Sequence, residues 1–241
     1  MTDPPVPIIA HGTGWLLADK PSGLSVHNDP GKDLCSRLMD YLTGDCAYLC
    51  KVHLDPEFGL HPVHRLDKET SGVILLACHR DVFASLSEAF ALNQVAKHYL
   101  ALVHGTEFKT GDNGLWTWPL TPKAAGRRNI QGKGRRVECT TAFRVIRRSR
   151  RYTLLSCRLP TGRTHQIRRH AALAGHPLLG DRRYGSQRAC RYLENTFCFK
   201  RLALHASRIS LIPPGADGIR HFESSRMPRQ MERVFEADLP S

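Results

Sequence analysis

The residues with the most chemistry to offer lie in the stretch HPVHRLDKETSGVILLA, His61 to Ala77. A carboxylate, Asp67, follows Arg65 and His64 closely, with Gly72 and an apolar run behind it. A carboxylate so placed can act as nucleophile or general base. The imidazoles of His61 and His64, with His165 and His170 further on, offer acid–base or metal-ligand chemistry. A plainer reading makes Asp67 a turn residue, since Asp ahead of Thr and Ser often hydrogen-bonds its own backbone. Neither histidine pair has a carboxylate ligand set at matching spacing, so His64 and His165 are expected to be hydrogen-bonded supports. Cys46, Cys50 and His53 in CAYLCKVH form one more cluster, but the paired C-x-x-C spacing of a structural zinc site is missing and thiols without metal are expected.

The elements that must position these groups can be read from periodicity. GWLLADK is a short apolar strand that Pro21 stops, followed by a loop to about Asp33. KHYLALVHG alternates Lys97, Tyr99, Ala101 and Val103 with His98, Leu100 and Leu102, the period of a strand, and Tyr152 to Leu159 alternates similarly. Val82, Phe83, Leu86, Ala89 and Phe90 recur at helical spacing after Asp81, which is expected to cap the first turn. A second helix is expected through HQIRRHAALAG, stopped by Gly175 and Pro177, with Arg168 one step off its apolar face. Strands and helices interleave without a regular repeat, which predicts an α+β fold with a mixed, mostly antiparallel sheet and flanking helices. No composition break divides the chain, so residues 1–241 are expected to form a single domain, with room for two subdomains sharing one sheet.

Composition narrows the partner. The formal charge is +13 on 241 residues, an excess that attracts a polyanion. Between Arg127 and Arg151 ten arginines and lysines crowd around a lone acid, Glu138. Phosphate contact is therefore expected, with Arg147, Arg148, Arg150 and Arg151 as candidate substrate-binding residues. No run approaches the roughly 18–20 apolar residues of a membrane-spanning helix, and no secretory signal opens the chain. Scattered cysteines in a chain of this size predict reduced thiols and a cytoplasmic location.

HRLDKETSGVILLA resembles the H-R-L-D-x-x-T-S-G segment of the RluA-type pseudouridine synthases, which isomerise uridine in structured RNA. DKPSGLSVH, KHYLALVHG, TGRTHQIRRHAALAGHPLLGDRRYG and RLALHASRISLIPP are similar to the family's other segments and follow in its order, from about Gly14 to Phe235. GKGRRVECTTAFRVI also resembles a family segment, but is more basic than the usual pattern. The resemblance implies the pseudouridine synthase catalytic fold with a long basic active-site cleft. It makes Asp67 the catalytic carboxylate, Tyr99 the residue that stacks on uracil and serves removal of the C5 proton, and Arg168 the ion-pair partner of the aspartate. It places Arg65 in the space left by the flipped nucleotide, gives Leu204 an apolar contact to the site, and makes Lys20 and Pro21 structural. The core begins near Gly14, so no N-terminal S4-like RNA-binding domain is expected. The implied partner is ribosomal or transfer RNA, acted on by a monomer without cofactor or metal. An inactive RNA-binding or RNA-folding protein on the same scaffold is the alternative, and intact Asp67, Tyr99 and Arg168 argue against it.

Overall fold

A computed structural model describes residues 4–44, 46–108, 111–224 and 226–240, without the side chains of 46–48. In chain order the first elements are strands β1 (Ile8–Gly12) and β2 (Trp15–Lys20), then helices α1 (Leu34–Thr43) and α2 (Cys46–Val52). Strands β3 (His61–Pro62) and β4 (Ser71–Ala77), helix α3 (Arg80–Ala91), and strands β5 (Ala96–His104) and β6 (Asn113–Trp116) follow. Next come β7 (Thr141–Arg148), β8 (Tyr152–Arg158), α4 (Gln166–Leu173) and α5 (Gln187–Phe197). The chain closes with β9 (Leu204–Leu211), β10 (Arg220–Glu223) and α6 (Arg229–Glu236). The α+β class and the mostly antiparallel sheet expected from the sequence are what the chain adopts.

Two compact units can be described separately. The first comprises Met1–Ala96 and Ala206–Ser225, the second Lys97–His205 and Arg226–Ser241. In the first, β1 pairs with β2 and β2 with β4, both antiparallel, with Trp15 opposite Ala77 and Lys20 opposite Gly72. Trp15 and Leu17 lie on one face with Val73, Leu75, Leu86, Ile209 and Leu211 in a continuous core. Leu16, Ala18, Ile74 and Leu76, on the opposite face, are also fully buried. Full burial of each such side chain contributes about 1.5–3 kcal/mol, so β4 is a rigid base for whatever its ends carry. Helix α1 is capped by Asp33, whose carboxylate accepts from the Ser36 N–H at 2.9 Å. Helix α3 starts one residue before Asp81; the N-cap is His79, and Asp81 lies in the first turn rather than capping it.

In the second unit β5 pairs with β8, β8 with β7 and β7 with β6, all antiparallel. Its core joins Leu102, Tyr152, Leu154, Leu179 and Leu193 to Met231, Val234 and Phe235 of α6. Helix α4 corrects a sequence-based expectation. The helix was expected to bury one apolar face with Arg168 a step off it, but Gln166 through Ala171 are all buried, Arg168 included. No helix among the described residues is long and apolar enough to cross a membrane.

Candidate active site

Asp67 opens a tight turn at the head of β4: its carbonyl accepts from the Thr70 N–H at 3.0 Å. The backbone of Asp67 thus takes part in a turn, as the residue type suggested, and its side chain is half-exposed. The DKPSG loop grips the turn. Fully buried Lys20 donates from Nζ to the carbonyls of Leu24 at 2.7 Å, Pro21 at 3.0 Å and Lys68 at 3.0 Å, and the Gly23 N–H reaches the Lys68 carbonyl at 2.8 Å. A buried ammonium that satisfies three carbonyls is stable where an unpaired one would not be, so Lys20 fixes the backbone directly after Asp67.

Behind the turn, Gly72 takes φ +111°, and a Cβ there would stand 2.1 Å from the Ala206 carbonyl oxygen. Only glycine lets the two strands approach so closely. Arg65 is exposed on the approach to the turn, while Leu66 and Thr70 are buried on either side of Asp67. His64 accepts the Leu75 N–H at 3.0 Å and stacks on Phe90 with ring centroids 4.9 Å apart, a support as expected. His61 Nε2 donates to the Phe58 carbonyl at 2.7 Å.

The second unit holds the other candidates. Tyr99 is 7% exposed on β5, opposite Cys157 of β8, and Leu204 is buried at the start of β9. Arg168, 5% exposed, donates from Nε and Nη2 to both carboxylate oxygens of Asp181, at 2.8 and 3.0 Å. The same carboxylate accepts the N–H groups of Arg183 and Tyr184, each at 2.9 Å. Burial alone would raise the Asp181 carboxyl, but the Arg168 guanidinium and these two N–H groups outweigh it and hold the group below its ordinary range. Tyr184 faces the Arg168 guanidinium, with the guanidinium carbon 5.4 Å from its ring centroid, and its hydroxyl meets His165 Nδ1 at 3.0 Å. His165 takes a left-handed conformation at the start of α4, φ 55°, and acts as a support. His170 Nε2 donates to the Trp118 carbonyl at 2.9 Å, so Nδ1 is left to accept from the Thr141 hydroxyl, also at 2.9 Å. Burial keeps this imidazole's pKa low; it is a structural histidine. Among the described residues no group of three or more His, Cys, Asp or Glu side chains is placed to hold a metal, and the Cys46 side chain lies outside them.

Asp181 and Arg169 were missed as site-building residues. One signal was available: no acid lies between Pro160 and Gly180, so Asp181 is the first carboxylate that Arg163, Arg168 and Arg169 meet downstream. Arg169 is fully buried and, among the described residues, meets carbonyls rather than a carboxylate: it donates to those of Ile130 at 2.7 Å, Thr121 at 2.9 Å and Gln131 at 2.6 Å.

The candidate phosphate-contact arginines are placed less simply. Arg148 donates to both Asp112 carboxylate oxygens and from Nε to the Thr106 carbonyl at 2.8 Å. Arg151 donates from Nε to Asp238 at 2.7 Å and from Nη1 to the Tyr192 hydroxyl at 3.0 Å. The Arg147 guanidinium carbon lies 5.2 Å from the Phe235 ring centroid. Arg150 N donates to the Asp238 carbonyl at 3.0 Å.

The turn that carries Asp67, with its backbone tied down by buried Lys20, lies in a segment shared with known proteins. The family model for RNA pseudouridylate synthase matches residues 14–173, a span that includes Asp67, Tyr99 and Arg168. The chain is 33% identical over 237 residues to ribosomal large subunit pseudouridine synthase D of Zymomonas mobilis, covering 97% of this chain and 73% of that protein. It is 34% identical over 210 residues to ribosomal large subunit pseudouridine synthase C of Buchnera aphidicola, covering 83% of this chain and 60% of that one. The fold matches the solved human RNA pseudouridylate synthase domain containing 4 with a TM-score of 0.71 at 23% identity, over 95% of this chain and 91% of that chain. The chain belongs to the RNA pseudouridylate synthase family of isomerases, and its relatives' names are those of the RluA type.

Proposed function

We propose that the protein isomerises a uridine in ribosomal RNA to pseudouridine, with Asp67 as the catalytic carboxylate. The observation that carries this reading is the half-exposed Asp67 on a braced turn inside the matched span of a pseudouridylate synthase. Ribosomal RNA is favoured over transfer RNA because the two relatives compared are named for the large ribosomal subunit.

The reaction breaks the bond between C1′ and N1, turns the uracil, and joins C1′ to C5, which loses a proton while N1 gains one. No electrons and no atoms from outside the substrate are needed, so the reading calls for no cofactor or metal. It does call for a carboxylate acting on the ribose as nucleophile or base, and for a pocket that retains the detached uracil. Tyr99 has a rigid apolar face for the base and a polar tip for the C5 proton. The reaction is also served by a cation that favours an ionised carboxylate. Arg168 is the residue to which the resemblance gives that task, and Asp181 holds its guanidinium in one orientation. Arg65 fills the space left by the extruded nucleotide, and Leu204 adds an apolar contact. Extrusion costs roughly a few kcal/mol of unstacking, which phosphate contacts must offset; Arg147 and Arg150 join that grip, as do Arg148 and Arg151 where their carboxylate partners leave charge to spare.

Release of tritium from ribosomal RNA carrying uridine tritiated at C5 tests the reading. The wild-type protein should release it and Asp67→Ala should not. Release that persists in Asp67→Ala removes Asp67 from the mechanism. RNA binding by the wild type without any release identifies a binding or folding factor instead.

A further inference from the structure

Residues 121–136 form a loop with an unusual internal economy. Its backbone is tied down by cations from below: Arg169 through the carbonyls of Thr121, Ile130 and Gln131, and Arg183 Nε through the Ala125 carbonyl at 2.8 Å. Thr164 Oγ1 donates to the Pro122 carbonyl at 2.8 Å, and the Thr121 N–H reaches the Gln131 carbonyl at 2.9 Å. Gly132, at φ +87°, packs so tightly on Thr121 that a Cβ would lie 2.0 Å from its hydroxyl. The loop borders an open pocket of about 610 Å³ whose wall includes Pro122, Lys123, Ala124, Arg128, Lys133 and Arg135. All four cations are exposed, and the sequence from Asn113 to Val137 contains no acid.

We infer that this cavity is a second RNA subsite, which takes one unpaired nucleotide of the substrate away from the reacting uridine. The volume falls in the range of about 300–1,000 Å³ typical of small-ligand sites. Arg128, Lys133 and Arg135 supply donors for a phosphodiester, the guanidinium planes of Arg128 and Arg135 offer a face on which an unpaired base can stack, and Pro122 and Ala124 add an apolar wall. Because the loop is braced before binding, little conformational entropy is lost when RNA arrives. The inference deepens the RNA-modifying reading and rests on it for the choice of RNA as ligand.

The test uses the full chain and a single-stranded oligouridylate containing 4-thiouridine. Photocrosslinks should map to the peptide spanning Pro122 to Arg135. Arg128→Gln combined with Lys133→Gln should leave thermal melting unchanged, weaken binding, and reduce the slope of log Kd against log salt by about 1.4, from roughly 0.7 per lost contact on a single strand. Arg188→Gln with Arg191→Gln, an equal charge loss on the exposed face of α5, should change the slope less. Crosslinks confined to other peptides, or equal slope changes in the two double variants, overturn the subsite. The outcome is separable from the catalytic reading: a crosslink at the loop without tritium release by the wild type sinks the isomerase and keeps the subsite, and the reverse pattern does the opposite.

Discussion

The five arginines of residues 144–151 and the six lysines and arginines of residues 121–136 look equivalent in the sequence, but the fold treats them differently. In the first stretch, two guanidiniums close on carboxylates from elsewhere in the chain, Arg148 on Asp112 and Arg151 on Asp238. In the second, the loop's backbone receives hydrogen bonds from buried Arg169 and from Arg183, and its own cations line a cavity. Density of charge along a sequence therefore does not say which charge is available to RNA. What decides is whether the fold brings an acid to it, and those acids lie 36 and 87 residues away.

The largest expected effect is at the anchor of the loop. Arg169→Met leaves the carbonyls of Thr121 and Ile130 without their Arg169 donor and removes one of the two donors to the Gln131 carbonyl, at a cost of about 1–3 kcal/mol for each carbonyl left unpaired in the limit where none relaxes. Chemical denaturation should show a loss of several kcal/mol, with RNA affinity falling at the same time; a variant as stable as wild type would show that the loop is braced by other means.

A smaller effect is expected at residues 144–151. Asp238 accepts from Ser149 Oγ, Arg151 N and Arg151 Nε, all at 2.7 Å, and is buried while Arg151 remains half exposed. Asp238→Ala should cost about 1–3 kcal/mol. Burial pushes this carboxyl up, but Ser149 and Arg151 pull it further down, so it titrates lower in the folded chain than its ordinary 3.8. Its stabilisation is complete above that value and is lost as pH falls through the lower folded pKa. Acid unfolding of Asp238→Ala should accordingly be flatter below pH 4 than that of wild type; parallel acid limbs would exclude the pair as a source of pH dependence.

The smallest effect is at Asp112, which is exposed. Asp112→Asn should leave the melting temperature unchanged, since surface ion pairs contribute little. It should release Arg148 and steepen the salt dependence of binding to single-stranded RNA by up to about 0.7. An unchanged slope would show that Arg148 does not reach RNA even when unpaired.

Much of the fold was legible because it depends on local pattern. Pro21 ends β2, the alternation of Lys97 to Val103 gives β5, and the spacing of Val82 to Phe90 gives α3. Asp67 was legible for a different reason: by residue type it read as a turn aspartate, and only the resemblance of its segment and four others to a known family made it the candidate carboxylate. The spacing of Ile167, Ala171 and Ala174 put Arg168 one step off the apolar face of α4, and an ion pair for it, with Asp67, was expected from the resemblance alone. The burial of Arg168 depends on Asp181, which residue spacing within α4 does not reveal. Lys20 shows the same limit from another side, since its partners are carbonyl oxygens, which any residue can supply and no side-chain pattern marks.

The central claim is that Asp67 converts uridine to pseudouridine. Chemical mapping of pseudouridine across ribosomal RNA, from cells whose only copy of this protein carries Asp67→Asn, tests it most directly. Loss of at least one site that the wild-type copy restores is the predicted result. A complete set of pseudouridines in the Asp67→Asn cells, with the variant folded and present at normal levels, would contradict it.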